Sequence, residues 1–200
     1  MAWITGFDCD AVVTPSALVK TKAAGFSFAG RYLKNMTSAE VKLICGAGLK
    51  IVSLFERKNT YGYFTAAQGA ADGKRAVAQA FALGQPPGTP IIFAVDWDAS
   101  AGQLAGGIAA YFKAVGAELV GRFAPGVYGS GLTLDTLKHA GLAYHQYLAQ
   151  STGWRDTRGF TGADIIQGRT TNEYGFGFPI DTATAMSEDY GGWTLPGAAT

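Results

Sequence analysis

Short apolar runs alternate with longer helix-like stretches along the chain, and this alternation limits the fold more than any other feature. The stretches carry helix-start signals, such as Thr14 before Pro15 and Thr37 three residues before Glu40. Strands separated by helices pair in parallel, because hairpins need only short turns. The sequence therefore predicts an α/β fold with parallel strands. The runs cover, in order, residues 3–8, 26–33, 50–56, 90–98, 124–129, 144–150, 164–167 and 178–181.

Eight such units form either a closed (β/α)8 barrel or an open doubly wound sheet. No Gly-x-Gly-x-x-Gly motif follows the first run and the chain has no Walker motif, which weighs against a nucleotide-binding open sheet. We therefore predict a small (β/α)8 TIM-type barrel. The last two connections are short and glycine-rich, so we expect reduced helices in the C-terminal part. We expect one domain over residues 1–200, with its core at about 3–190 and a short C-terminal tail.

Composition and charge exclude several functional classes. With 48% hydrophobic and only 16% charged residues, the chain can bury a core and does not resemble a disordered protein. Sixteen basic against 15 acidic residues, with no basic run, argue against nucleic acid as a partner. No apolar window approaches the ~18 residues of a membrane span, so we expect no membrane insertion. The first residues lack the charged and apolar regions of a signal peptide, so we predict a protein made in the cytoplasm without one. We also predict a monomer.

Thiol and metal chemistry have little support. Cys9 and Cys45 are too few for a disulfide framework, and we expect two buried thiols, with a single bridge as the alternative. His139 and His145 have no further ligand at metal-binding spacing. No Gly-x-Ser-x-Gly motif is present. We expect neither a metal nor an organic cofactor.

Acidic residues stand at the ends of four apolar runs, where a barrel of this kind builds its active site. Period-two alternation places Asp96 and Asp98 on one face of the fourth run, close enough for a glycosidase carboxylate pair. Asp98 has the alternative role of starting the next helix. Asp96 lies within an apolar run, and a charge there needs a partner or a purpose. Crowded carboxyls also raise one another's pKa. The five candidates for catalysis are Asp8, Glu56, Asp96, Asp98 and Asp181.

Aromatic and amide side chains near these acids suit a sugar, because rings stack on pyranose faces and amides bind hydroxyls. Arg31, at the end of the second run, is predicted either to pair with the acids or to bind an acidic or N-acetyl group of the substrate. The predicted substrate-binding residues are Arg31, Tyr32, Tyr128, Gln150, Trp154 and Gln167.

Several spaced motifs resemble the glycoside-hydrolase-like family known as domain of unknown function 1906, which is similar to the family 25 lysozymes that cut peptidoglycan glycan strands. The resemblance spans about residues 6–186. The motifs are Gly6-Phe7-Asp8, Gly30-Arg31-Tyr32-Leu33, Phe93-Ala94-Val95-Asp96-Trp97-Asp98, Gly126-Val127-Tyr128-Gly129 and Leu148-Ala149-Gln150-Ser151 with Gly153-Trp154.

This resemblance implies that Asp8, Asp96, Asp98 and Asp181 match the acidic positions of the lysozymes. Asp98 stands where those enzymes have the glutamate that donates the proton, and Glu56 is the alternative donor. The resemblance implies a peptidoglycan-degrading N-acetylmuramidase, as in a phage endolysin released by a holin or a secreted antibacterial effector. The alternatives are a barrel that binds cell-wall glycan without cutting it and an enzyme for another polysaccharide.

Overall fold

A computed structural model describes residues 4–198, and in it eight strands close into a barrel in chain order. The predicted α/β barrel is therefore confirmed. Every predicted apolar run overlaps a strand, although β4 ends four residues early and β7 and β8 each extend four residues beyond their runs. The strands are Ile4–Cys9 (β1), Phe28–Tyr32 (β2), Lys50–Phe55 (β3), Pro90–Ala94 (β4), Ala124–Gly129 (β5), His145–Leu148 (β6), Ile165–Thr171 (β7) and Ile180–Ala185 (β8).

Hydroxyl side chains begin the helices, as the sequence signals predict. Thr14 and Thr37 each accept a hydrogen bond from the backbone N–H three residues later, which satisfies a donor that the helix leaves free. The described residues between β6 and β7, and between β7 and β8, form turns, which confirms the reduced C-terminal helices. Within residues 4–198 no helix combines the length and apolarity that a membrane crossing requires. The helices are Pro15–Ala23 (α1), Ser38–Gly46 (α2), Ala66–Leu83 (α3), Ala101–Gln103 (α4), Ala109–Leu119 (α5) and Gly131–His139 (α6).

The prediction of parallel strands throughout is wrong for β8. Each strand from β1 to β6 pairs in parallel with its successor, whereas β8 is antiparallel to both β7 and β1. The physical reason is the short β7–β8 connection, because a parallel crossover needs about a dozen residues or more. Asp181 consequently lies near the start of β8, not at its end, yet it reaches the edge of the barrel where the other strands finish.

Alternation along the strands separates two apolar layers. Side chains such as Phe7 and Phe93 point outward and pack beneath the helices. Phe28 and Ile92 point into the barrel. We call the interior near the strand starts the amino end. There the ring of Tyr190 packs on Phe28 with centroids 4.9 Å apart, so a C-terminal segment closes this end of the barrel.

Candidate active site

A cavity of about 250 Å³ opens at the other end of the barrel, where β1 to β7 finish and β8 begins, and we call it the mouth. Its walls are rich in carboxyl, phenol and amide groups. It brings together four of the five predicted catalytic residues and four of the six predicted substrate-binding residues. The lining residues are Asp8, Tyr32, Leu54, Glu56, Ile92, Ala94, Asp96, Tyr128, Tyr147, Gln150, Ser151, Gln167 and Asp181.

Asp8 is the deepest carboxyl of the mouth, with 3% of its surface exposed. Its Oδ2 accepts hydrogen bonds from the Tyr147 hydroxyl at 2.5 Å and from Gln167 Nε2 at 3.1 Å. Burial raises the pKa of Asp8 to about 7; the hydrogen bond from Tyr147 opposes this rise and the charge of Asp181 adds to it. Asp8 therefore titrates near neutral pH.

The neighbouring strands leave room for Asp8. Gly30 lies beside it on β2, and a Cβ atom at position 30 would stand 2.7 Å from the Asp8 Cβ. A glycine is therefore required where the Asp8 side chain turns inward. On the other side, Asp181 is the direct partner of Asp8 across the antiparallel β1–β8 pair, where Cβ atoms lie about 4.5–5.5 Å apart. This pairing holds two carboxyls side by side.

An amide-centred network orients the acids. Gln167 Nε2 also donates to Asp181 Oδ2 at 3.3 Å, while Gln167 Oε1 accepts from the Tyr128 hydroxyl at 2.8 Å and from the Gln150 backbone at 3.3 Å. Thr170 donates its hydroxyl hydrogen to Asp181. Gln167 thus joins β5, β7, β8 and the segment after β6, and it fixes the side chains at the floor of the mouth.

Glu56 and Asp96 form the half-buried upper part of the acid cluster. Burial raises the pKa of both carboxyls; the charge of Asp96 raises that of Glu56 further, and the charge of Asp181 raises that of Asp96. Lys34 acts in the opposite direction on Glu56. Because the negative charge of Asp96 acts on Glu56, an ionised Asp96 favours a proton on Glu56.

Asp98 does not lie with Asp96 in the mouth, so the predicted strand-face pair is wrong. β4 ends at Ala94, and a turn in which the Ala99 N–H bonds to the carbonyl of Trp97 redirects the chain. The Asp98 carboxylate instead contacts the Arg155 guanidinium at 2.6 Å. The alternative helix-start role belongs to Ser100, which caps α4.

Arg31 is also placed outside the mouth, in contrast to its predicted substrate-binding role. Tyr32 points inward and lines the mouth, so its neighbour Arg31 points outward under α2, because successive side chains of a strand alternate. There Arg31 is fully buried, pairs with Glu40 at 2.9 Å and donates to the carbonyl of Cys9. The Glu40 side chain accepts from Arg31 and from the Val13 N–H. Of the predicted helix-start signal, Thr37 with Glu40, the structure keeps the bond from the Glu40 N–H to the Thr37 hydroxyl.

Trp154 is half-buried in the segment after β6 and is not among the residues that line the mouth. Tyr147 is the important residue that the sequence argument missed. It is fully buried on β6, directly beside Tyr128 of β5, and pairs with Asp8. Its sequence signal is a phenol inside a short apolar run, since a buried hydroxyl needs a hydrogen-bond partner.

No cysteine or histidine is among the described residues that line the mouth. Cys9 and Cys45 are buried and unbridged, and burial raises the pKa of the Cys9 thiol to about 12. Among residues 4–198 no group of three or more His, Cys, Asp or Glu side chains is arranged to hold a metal ion.

Comparison with known proteins gives this site its context. The family described as Rv2525c-like, glycoside hydrolase-like domain matches residues 19–185. FadG of Bacillus subtilis, an uncharacterized protein, is 27% identical over 175 residues, which cover 78% of this chain and 30% of FadG. The chain thus spans less than a third of that relative.

Two solved structures share the fold. Rv2525c of Mycobacterium tuberculosis, a Tat-secreted protein crystallised with L-tartrate, has a TM-score of 0.82 at 22% identity, covering 96% of this chain and 100% of Rv2525c. A lysozyme from Streptomyces coelicolor has a TM-score of 0.60 at 14% identity and covers 94% of both chains. The fold is therefore glycoside hydrolase-like and resembles that of lysozymes.

These comparisons correct one prediction and confirm another. The prediction of cytoplasmic synthesis without a signal peptide, followed by holin- or secretion-system-dependent release, is wrong, because Rv2525c is a Tat-secreted protein. The error lay in arguing from the first residues of the chain, which carry no information about segments outside it. The resemblance predicted from the spaced motifs is confirmed by a family match that covers most of the chain. The chain belongs to the Rv2525c-like, glycoside hydrolase-like domain family.

Proposed function

We propose that the protein is a glycosidase of the N-acetylmuramidase type that cleaves the glycan strands of peptidoglycan. The observation that carries this proposal is the cluster of four interacting carboxyls around one cavity at the carboxyl end of the barrel. Glycoside hydrolysis needs one protonated and one ionised carboxyl, and crowding of acids produces that pair near neutral pH. Similarity to the Streptomyces lysozyme supports this assignment.

Glu56 is the proposed general acid, because it lies in the mouth with a raised pKa while Asp98 is held by Arg155. Glu56 donates its proton to the glycosidic oxygen as the bond from that oxygen to the anomeric carbon breaks. Asp96 carries the negative charge that stabilises the positive anomeric carbon, or orients the acetamido group that attacks it. Water then adds to the anomeric carbon and returns the proton to the carboxyl pair.

Asp8 and Asp181 act from the floor of the mouth. The charge of Asp181 raises the pKa values of Asp8 and Asp96. Together with Gln167, the two carboxyls position a water molecule or a sugar hydroxyl. Tyr32, Tyr128 and Gln150 line the walls, where phenol rings stack on a sugar and the amide binds its hydroxyls. Trp154, in the same segment as Gln150, would contact a sugar beyond the mouth.

A second candidate function is glycan binding without hydrolysis. The observation in its favour is the ion pair of Asp98 with Arg155. Asp98 stands at the position of the proton-donating glutamate in the family 25 lysozymes, and the ion pair takes its carboxylate away from that role. The same mouth, with its hydroxyl-binding amides and phenols, would then hold a sugar without protonating it.

Digestion of purified peptidoglycan separates the two functions. The experiment measures solubilised glycan and the mass of released fragments for the wild type, Asp96→Asn and Glu56→Gln. Asp135→Asn is the matched control, because it neutralises an exposed carboxylate on α6 that does not line the mouth. We expect fragments with muramic acid at the reducing end, a loss of roughly 10²–10⁴-fold in rate for both mouth variants, and no loss for the control.

The binding function predicts a different result. Glycan left intact by a folded wild-type protein that still sediments with the sacculi would reject the enzyme and support the binding module.

A further inference from the structure

Asp98 is engaged by Arg155 through both its side chain and its backbone. The Asp98 carboxylate accepts from the Arg155 backbone N–H at 2.8 Å and from Nη1 at 2.6 Å, and the Asp98 carbonyl accepts from the same Nη1 at 2.9 Å. The two side chains are 33% and 49% exposed. This bonding links the turn after β4 to the segment after β6 across the end of the intervening strand, β5.

The segment after β6 is anchored from its other side by α6. We call residues 150–157 the wall segment. The Leu132 N–H donates to the carbonyl of Arg155 at 3.0 Å, and the Gly131 N–H donates to the Thr157 hydroxyl at 3.1 Å. A Cβ at position 131 would lie 1.9 Å from the carbonyl oxygen of Asp156, so only glycine permits this approach. Arg155 is thus held between Asp98 and α6.

The wall segment also forms one side of the mouth. Gln150 and Ser151 line the cavity, and the carbonyl of Ser151 accepts from the Trp154 N–H at 2.9 Å, which joins the lining residues to the anchored part. A shift of Arg155 would therefore move Ser151 and Gln150 relative to a sugar in the mouth. Glu56 follows β3 and Asp96 follows β4, so both lie outside the wall segment.

We propose that Asp98 is a positioning residue: with Arg155 it forms a clasp that fixes the wall segment and thereby sets how the mouth binds its glycan. This inference rests on the proposed glycan-binding mouth. It assigns Asp98 a role in substrate binding and no role in proton transfer.

Steady-state kinetics over a range of pH test the clasp with Asp98→Asn, Arg155→Ala and the double variant. Asp98→Asn keeps an oxygen for the Arg155 N–H but loses the ion pair, so we expect KM to rise about two- to fivefold. The pH profile of kcat should keep its shape. The two substitutions should be non-additive, because each removes the same pair. Glu173→Gln, which breaks the exposed pair with Arg169, is the matched control and should leave KM unchanged.

Hydrogen exchange provides a readout that does not depend on activity. Asp98→Ala removes both carboxylate contacts and should accelerate exchange of the amides in residues 151–157, while the amides of β1 to β5 keep their protection. The same variant should sediment less with sacculi than the wild type.

The outcomes separate the two proposals. A loss of roughly 10²-fold or more in kcat for Asp98→Asn, with the alkaline limb of the profile abolished, would show that Asp98 is the proton donor and overturn the clasp. Unchanged exchange in Asp98→Ala would overturn it as well. If no variant, including the wild type, releases glycan, the hydrolytic function fails, and accelerated exchange with weaker sedimentation still supports the clasp.

Discussion

The two ends of the barrel interior are built from the same strands and differ completely in chemistry. At the amino end, Phe28 and Tyr190 form a closed apolar layer. At the mouth, a few residues further along, the interior carries Asp8 and its acidic neighbours around an open cavity. Apolar burial stabilises the fold, whereas buried carboxyls with raised pKa values destabilise it at neutral pH. The acidic residues of the mouth therefore serve its chemistry, and the apolar residues of the amino end serve stability. Substitutions at each end test this difference.

The largest effect on stability is expected at the amino end. Phe28→Ala removes a fully buried ring that contacts Tyr190 and should lower the free energy of unfolding by about 3–5 kcal/mol. Glycan cleavage per folded molecule should stay at the wild-type value, since the mouth is untouched. Denaturant unfolding followed by tryptophan fluorescence measures the first quantity and an activity assay in water the second. Phe28→Leu, which keeps more of the volume, is the control with a smaller expected loss.

If Phe28→Leu reduced activity per folded molecule as strongly as a substitution in the mouth, the separation of stability and activity between the two ends would be wrong.

The next effect is a dependence of stability on pH that comes from Asp8. Its pKa is raised from a usual value near 3.8 to about 7, so the folded protein binds the proton more tightly than the unfolded chain. Stability due to this group is therefore present below pH 4 and is lost as the pH rises to about 7, by up to about 4 kcal/mol. Asp8→Asn should remove this loss and be more stable than the wild type at pH 8, but not at pH 4.

Unfolding free energies of both proteins at pH 4 and pH 8 measure the effect. Equal pH dependence in the wild type and in Asp8→Asn would mean that Asp8 is ionised throughout this range, contrary to the expected titration.

The smallest expected effect is on stability and activity together. Gly30→Ala places a methyl group 2.7 Å from the Asp8 Cβ and should lower stability by about 1–3 kcal/mol while displacing the carboxyl. Activity should fall together with stability, because Asp8 loses its place beside Tyr147 and Gln167. Gly46→Ala, on α2 with open space around its Cβ, is the matched control, and it should not lower either property. A fully active Gly30→Ala protein would show that the mouth tolerates a shifted Asp8.

Local sequence signals were sufficient for most elements and failed where the chain turns. Thr14 and Thr37 begin helices as expected, because a side-chain cap depends on residues only a few positions away. Asp98 was misplaced because period-two alternation holds only within a strand, and β4 ends at Ala94. Tyr147 was missed because its partner, Asp8, is 139 positions away in the chain.

The sequence by itself determined the order of strands and helices, the position of Asp8, Glu56 and Asp96 at or near strand ends, and the family resemblance. These features depend on short-range periodicity and on residue types at fixed spacings, both of which can be read along the chain. The tertiary structure alone decided that β8 runs antiparallel, that Arg31 pairs with Glu40 behind the sheet, and that Arg155 takes Asp98 out of the mouth. These features depend on contacts between residues far apart in the chain. Which strands pair, and which opposite charges meet, is settled only when the barrel closes.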